Sequence, residues 1–169
     1  FEEMNPKYVE PEDHMYFNPN NPEEFIWISE MDGYNHLYLF SADGSMRKQL
    51  TKGEWVVTRC YGYYGDDLVY FASTMEEPIQ QNIYSLSLKK ETITRVTPDH
   101  GTHSAMISKS GKYAIDVFSS TDASRSFKLV NAKGKIIRVI QEDKMPLKDY
   151  KLGDMEIFTL KADDGTDLY

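Results

Sequence analysis

The sequence predicts an all-β chain made of repeated four-stranded units, a partial β-propeller of about three blades. Three observations predict it. Aromatic residues make up 13% of the 169 residues, with 12 Tyr, 8 Phe and 2 Trp, and Tyr and Phe suit the pleated, half-buried surface of a sheet. No window of a dozen residues keeps apolar positions at helical spacing without a Gly, a Pro or a β-favouring run breaking it. Apolar strand segments that end in serine recur at Ser29, Ser73 and Ser119, 44 and 46 residues apart.

The elements follow in order. The first unit opens with Met15-Tyr16-Phe17, turns at Asn20-Asn21 and runs through Phe25-Ile26-Trp27-Ile28-Ser29. A polar loop leads to His36-Leu37-Tyr38-Leu39-Phe40, then a tight turn at Ala42-Asp43-Gly44, then a strand ending at Leu50-Thr51. The second unit repeats the plan: Val56 to Tyr61, a turn at Gly65-Asp66, Leu68 to Ser73, Asn82 to Leu86, a turn at Lys89-Lys90-Glu91 and a strand ending at Val96-Thr97. The third has Ser104 to Ser108, a turn at Ser110-Gly111, Tyr113 to Ser119, Ser126 to Val130, a turn at Ala132-Lys133-Gly134 and a strand ending at Val139-Ile140. Four short antiparallel strands in 40–50 residues describe a propeller blade. The regular strand spacing also fits a β-sandwich, but three turns matched in register favour blades.

The expected division is residues 1–142 as blades (about 14–53, 54–101 and 102–142) and 143–169 as a linker followed by new strands. Asp143 to Leu147 reads as the linker, Glu156 to Leu160 as a strand outside the repeat phase, and Asp164-Gly165 as a hairpin turn. Three blades cannot close a ring, so an open arc from a longer protein is expected. Its uncovered blade faces are a route to self-association.

Charge and composition exclude several roles. Lys plus Arg is 19 and Asp plus Glu is 27, a net charge of −8. With no basic stripe, a nucleic-acid-binding role is not expected. The apolar run Leu68-Val69-Tyr70-Phe71-Ala72 is too short to span a membrane. Cys60 is the single cysteine, so neither an internal disulfide nor a cysteine-based zinc site is available. No cofactor is expected.

Several segments resemble the propeller region of the dipeptidyl peptidase IV family, in the prolyl oligopeptidase group of serine peptidases. Trp27-Ile28-Ser29-Glu30-Met31-Asp32-Gly33-Tyr34-Asn35-His36-Leu37-Tyr38-Leu39-Phe40 is similar to the family's strand, Ser, acidic, Asp-Gly-aromatic, His-Leu-Tyr segment. Gln49 to Val57, with its Leu-Thr-x-Gly-x-Trp-x-Val pattern, also matches. So do Val69 to Thr74, Gly101 to Ala105 and Ser108 to Tyr113. Glu156, Phe158, Asp164, Gly165 and Leu168 sit where the family's chain passes to its hydrolase domain. The resemblance runs from about Val9 to Tyr169 and implies an eight-bladed propeller capping an α/β-hydrolase that lies outside this chain. It also implies release of X-Pro or X-Ala dipeptides from peptide substrates, and an exported parent protein.

No catalytic residue is assigned. The chain contains no G-x-S-x-G nucleophile elbow, and Ser29, Ser73, Ser104 and Ser119 read as serines that satisfy backbone groups at strand ends. Asp99-His100-x-x-His103 raises a metal corner, but two imidazoles fall short of a closed ligand set, so a loop with polar caps is expected. His36 is expected to pack and hydrogen-bond locally. Glu2-Glu3, Glu23-Glu24 and Glu76-Glu77 do not stand in the family's amine-binding context, and the last two pairs read as solvated. Trp27 and Trp55 read as packing anchors between blades. In the family, the stretch equivalent to Lys7-Tyr8-Val9-Glu10-Pro11-Glu12 runs along the inner rim, so the resemblance implies Tyr8 and Glu10 as substrate-side contacts; the rival role is a strand lead-in. Two further readings stay open: a non-enzymatic propeller that binds protein or glycan, and the propeller of another enzyme of the same group.

Overall fold

The computed structural model describes residues 2–10, 14–142, 149–153 and 155–169. The segment read as a linker, Asp143 to Leu147, lies outside the described residues. No helix occurs among the described residues. Strands β1 (Tyr16–Asn18), β2 (Asn21–Ser29), β3 (His36–Ser41) and β4 (Met46–Gln49) form the first antiparallel sheet, in that order. The second holds β5 (Val57–Tyr64), β6 (Leu68–Ser73), β7 (Asn82–Ser87) and β8 (Thr92–Arg95). The third holds β9 (Thr102–Ile107), β10 (Tyr113–Ser119), β11 (Ser126–Asn131) and β12 (Ile136–Gln141). Each sheet is a simple meander, the architecture of three propeller blades in sequence.

Burial follows from that stacking. The middle blade is covered on both faces, so β7 is buried at all six positions and β6 at five of six. A strand buried on both sides reads as an unbroken apolar run rather than an alternation, which is why Leu68 to Ala72 stood out. The third blade is covered on one face only, and β10 alternates, with Ala114, Asp116 and Phe118 buried and their neighbours more open. Two clusters hold the stack. One joins Ile26, Ile28 and Leu37 of the first blade to Val57, Val69 and Phe71 of the second. The other joins Tyr70, Ala72, Ile83 and Val96 to Ala114 and Val130 of the third.

The tight turns share one geometry. The N–H groups of Ser41, Asn131 and Ala162 bond the carbonyls of Ser45, Lys135 and Thr166, and Gly44, Gly134 and Gly165 bond back to the same three residues. Those glycines take φ of 85°, 78° and 86°, the left-handed conformation that closes such a hairpin without a Cβ penalty. In the second blade Glu91 takes the left-handed place, with φ 53°.

Four expectations need correction. Glu156 to Thr159 form no strand: only β13 (Leu160–Lys161) and β14 (Asp167–Leu168) pair across the Asp164-Gly165 turn. Residues 155–159 are exposed, and among the described residues no neighbouring strand takes up their backbone groups. Trp55 does bridge two blades, half-buried, whereas Trp27 packs on Phe25, Tyr38 and Phe40 of its own sheet. Glu24 and Glu76 are not simply solvated. Glu24 is 15% exposed and pairs with Arg47 at 3.3 Å, and Glu76 pairs with Arg95 at 2.6 Å. His103 is no loop cap. It lies wholly buried on β9, because β9 and β10 pair in a register that brings it near Asp116.

Candidate functional site

Strand β2 ends at Ser29, and the chain reverses through Glu30 to Asn35 before β3. Gly33 N–H bonds the Glu30 carbonyl at 2.8 Å, and the Ser29 hydroxyl accepts the Met31 N–H at 3.1 Å. Ser73 does the same for Met75 in the next blade at 2.9 Å. These are the strand-end roles expected of both serines. Asn35 fastens the loop to the second blade: its side-chain amide donates to the Val57 carbonyl at 2.8 Å, and its carbonyl accepts the Val57 N–H at 2.7 Å.

The N-terminal segment, residues 2–10, lies across this loop. Glu3 anchors it. Its carboxylate accepts the Trp27 indole N–H at 3.1 Å and a short hydrogen bond from the Ser29 hydroxyl. Between segment and loop is a cavity of about 120 Å³ whose lining includes Glu3, Tyr8, Glu10, Ser29, Glu30 and Asn35. The structure thus brings Tyr8 and Glu10 into one cavity wall. Tyr8 is 63% exposed. The Glu10 carboxylate beside it, through a hydrogen bond and its charge, raises the Tyr8 phenol above its ordinary pKa, with Glu30 adding to the effect. Deeper in the blade, burial and the nearby Asp32 carboxylate push the Tyr38 phenol well above its usual range.

Chemically, the cavity is an acceptor site. It is lined by three carboxylates and two asparagines, with no Lys or Arg in the wall, so it favours an ammonium or an N–H donor over an anion. Among the described residues no group of three or more His, Cys, Asp and Glu converges as a metal ion would need. The two buried imidazoles are both occupied. His36 bonds the Thr51 hydroxyl and the Gly53 carbonyl, each at 3.0 Å. His103 bonds Asp116 at 2.7 Å and the Asp99 carbonyl at 3.0 Å. Neither has a ring nitrogen left to activate a nucleophile.

Sequence reasoning passed over Glu3. Its partners are 24 and 26 residues away, and only the fold of the segment over β2 brings them together. Nothing in the pattern of Glu2-Glu3 separates the anchored carboxylate from the exposed one.

The family model for the dipeptidyl peptidase IV N-terminal region matches residues 1–125. Dipeptidyl peptidase 4 of Arthroderma otae is 30% identical over 163 residues, covering 88% of this chain and 20% of that protein. Among solved structures, Porphyromonas gingivalis dipeptidyl peptidase 4 superposes with a TM-score of 0.84 at 28% identity, covering 97% of this chain and 24% of its own. A putative dipeptidyl aminopeptidase IV from Bacteroides ovatus superposes with a TM-score of 0.86 at 32% identity, covering 97% and 26%. The chain thus spans about a fifth to a quarter of the relatives it matches. With the family model covering most of its length and the blades superposing on those structures, the chain belongs to the dipeptidyl peptidase IV family, in its N-terminal propeller region.

Proposed function

We infer that the chain is the propeller portion of a serine dipeptidyl peptidase, and that it controls access and positions the amino end of a peptide rather than breaking bonds. The parent would remove X-Pro or X-Ala dipeptides, its hydrolase domain supplying the Ser, Asp and His, with further blades completing an eight-bladed ring. The observation that carries this reading is the acidic cavity where Tyr8, Glu10 and Glu3 meet the Glu30–Asn35 loop. A peptide's ammonium end is a charge-assisted donor, and a wall of carboxylates without a cation attracts it. Holding that end fixes the scissile bond relative to catalytic groups elsewhere, which is a rate effect of positioning. The relatives' names support the reaction class, and the occupied imidazoles of His36 and His103 support a non-catalytic role for these blades.

The test uses the parent enzyme carrying Tyr8→Phe and Glu10→Gln together. KM for a Gly-Pro-led peptide should rise about tenfold with kcat nearly kept, the pattern of lost ground-state binding. An unchanged KM would remove both residues from the substrate path. The chain by itself should not turn over a Gly-Pro amide, and measurable hydrolysis would overturn the assignment of chemistry to the other domain.

A further inference from the structure

A second cleft lies between the first and second blades and shares no lining residue with the acidic cavity. Its volume is about 420 Å³, within the range of ordinary ligand sites. The floor is aliphatic: Leu39 and Leu50 from the first blade, Leu86 and Leu88 from the second. Leu86 is 3% exposed, while Leu39, Leu50 and Leu88 are half-buried and open to the cleft. The rim is basic. Lys48 and Lys52 stand on it, and Lys48 reaches across the seam to pair with Glu91. Lys52 is exposed and has no carboxylate partner among the described residues. The cleft itself is lined by two lysines, Lys48 and Lys52, and one glutamate, Glu91, a local charge of +1 in a chain of −8.

We propose that this inter-blade cleft is a docking site for an acidic peptide segment of another protein, with an aliphatic anchor on the four leucines and flanking carboxylates on Lys48 and Lys52. The charge argument selects the occupant. A cationic surface set in an acidic protein steers anionic partners to one place and repels the protein's own kind. Shape decides between a peptide and a membrane. The aliphatic groups line a concavity and do not protrude, so they fit an inserted side chain and not a lipid surface. The exposed Lys48–Glu91 pair is worth little by itself, so an incoming carboxylate displaces Glu91 at small cost. Glu91 sits in the left-handed conformation, where a glutamate is poorly accommodated. Blades one and two are already neighbours, so additional blades at either flank would leave the cleft open. The site is therefore independent of the peptidase reading.

The experiment is fluorescence anisotropy on the whole chain with labelled Glu-Asp-Leu-Ile-Asp-Glu. Replacing the central pair by Ala-Ala, or the acids by lysines, should weaken binding by about tenfold or more. K48E/K52E, with circular dichroism showing an intact fold, should do the same, and so should Leu88→Asp. Binding that is equal for the lysine peptide, or unchanged in K48E/K52E, overturns the proposal. Association with phosphatidylserine vesicles in place of peptide binding also overturns it. Because the readout is peptide binding by the isolated chain, it stands or falls separately from the parent's turnover of Gly-Pro substrates.

Discussion

The seam between the first and second blades is built from different material than the seam between the second and third. The first is mainly aliphatic and aromatic, and its polar ties include the two hydrogen bonds between Asn35 and Val57 and the exposed Lys48–Glu91 pair. Trp55 packs edge-on to His36 with centroids 4.6 Å apart and lies nearly parallel to Phe71, and a nine-residue buried cluster spans both sheets. The second has a smaller cluster of six buried residues and a set of directed polar contacts. Tyr70 donates its hydroxyl to the Gly111 carbonyl at 2.6 Å, and Gln81 donates to the His103 carbonyl at 2.7 Å. Asp99 pairs with Lys128 and lends its carbonyl to both Arg95 and His103. One blade repeat can therefore be fastened by area or by geometry. Area tolerates small shifts; a hydrogen-bonded seam fixes position but leaves buried groups that are costly when unpaired.

The largest effects should come from emptying the first seam at its centre and from breaking the buried pair inside the third blade. Phe71→Ala removes a side chain with no exposure and should lower stability by about 3–5 kcal/mol, read as a fall in urea midpoint. An unchanged midpoint would mean that the apolar seam does not hold the blades. His103→Leu leaves Asp116 buried without its partner, and both residues have no exposure. Removing one member of such a pair costs about 3–5 kcal/mol. Replacing both, as in H103L/D116L, should recover part of the loss, because the stranded carboxylate goes with it. If the double variant is no better than the single one, the stranded carboxylate is not the source of the loss.

Trp55→Ala should cost less than either, about 2 kcal/mol, since a half-buried ring loses only part of its burial energy. A loss as large as that of Phe71→Ala would put Trp55 at the centre of the first seam and not at its edge.

Trp55 also marks how far the sequence could be read. Strand order, the blade repeat and the turns were legible, because period-two runs and left-handed turn residues are local signals. The Ser29 and Ser73 roles were legible for the same reason. Degree of burial was not, since it depends on which blade lies opposite. Nor was the His103–Asp116 pair, whose members are 13 residues apart on adjacent strands and meet only once the β9–β10 register is set. At the candidate site, the resemblance pointed to Tyr8 and Glu10, and the fold places both in one cavity wall. Glu3 had no local signature, because its meaning lies in partners on β2. The tail strand departed for a related reason: Glu156 to Thr159 have strand-like composition but no strand to pair with among the described residues.

The smallest effect concerns Asp67, at the turn between β5 and β6, which fastens the β7–β8 turn within the middle blade. Burial by itself would raise its carboxyl pKa, but the Ser87 hydroxyl and the Lys89 N–H hold it below the ordinary value. A carboxylate held below its unfolded value of about 3.9 contributes stability above that pH and loses it as pH falls through the lower folded value. Asp67→Asn should therefore be less stable than the parent chain near neutrality, and the two urea midpoints should converge in acid. A constant gap across the acid range would mean that the hydrogen-bonded turn is held by shape alone. It would also mean that the middle blade, fastened by burial on both faces, draws no stability from the Asp67 charge.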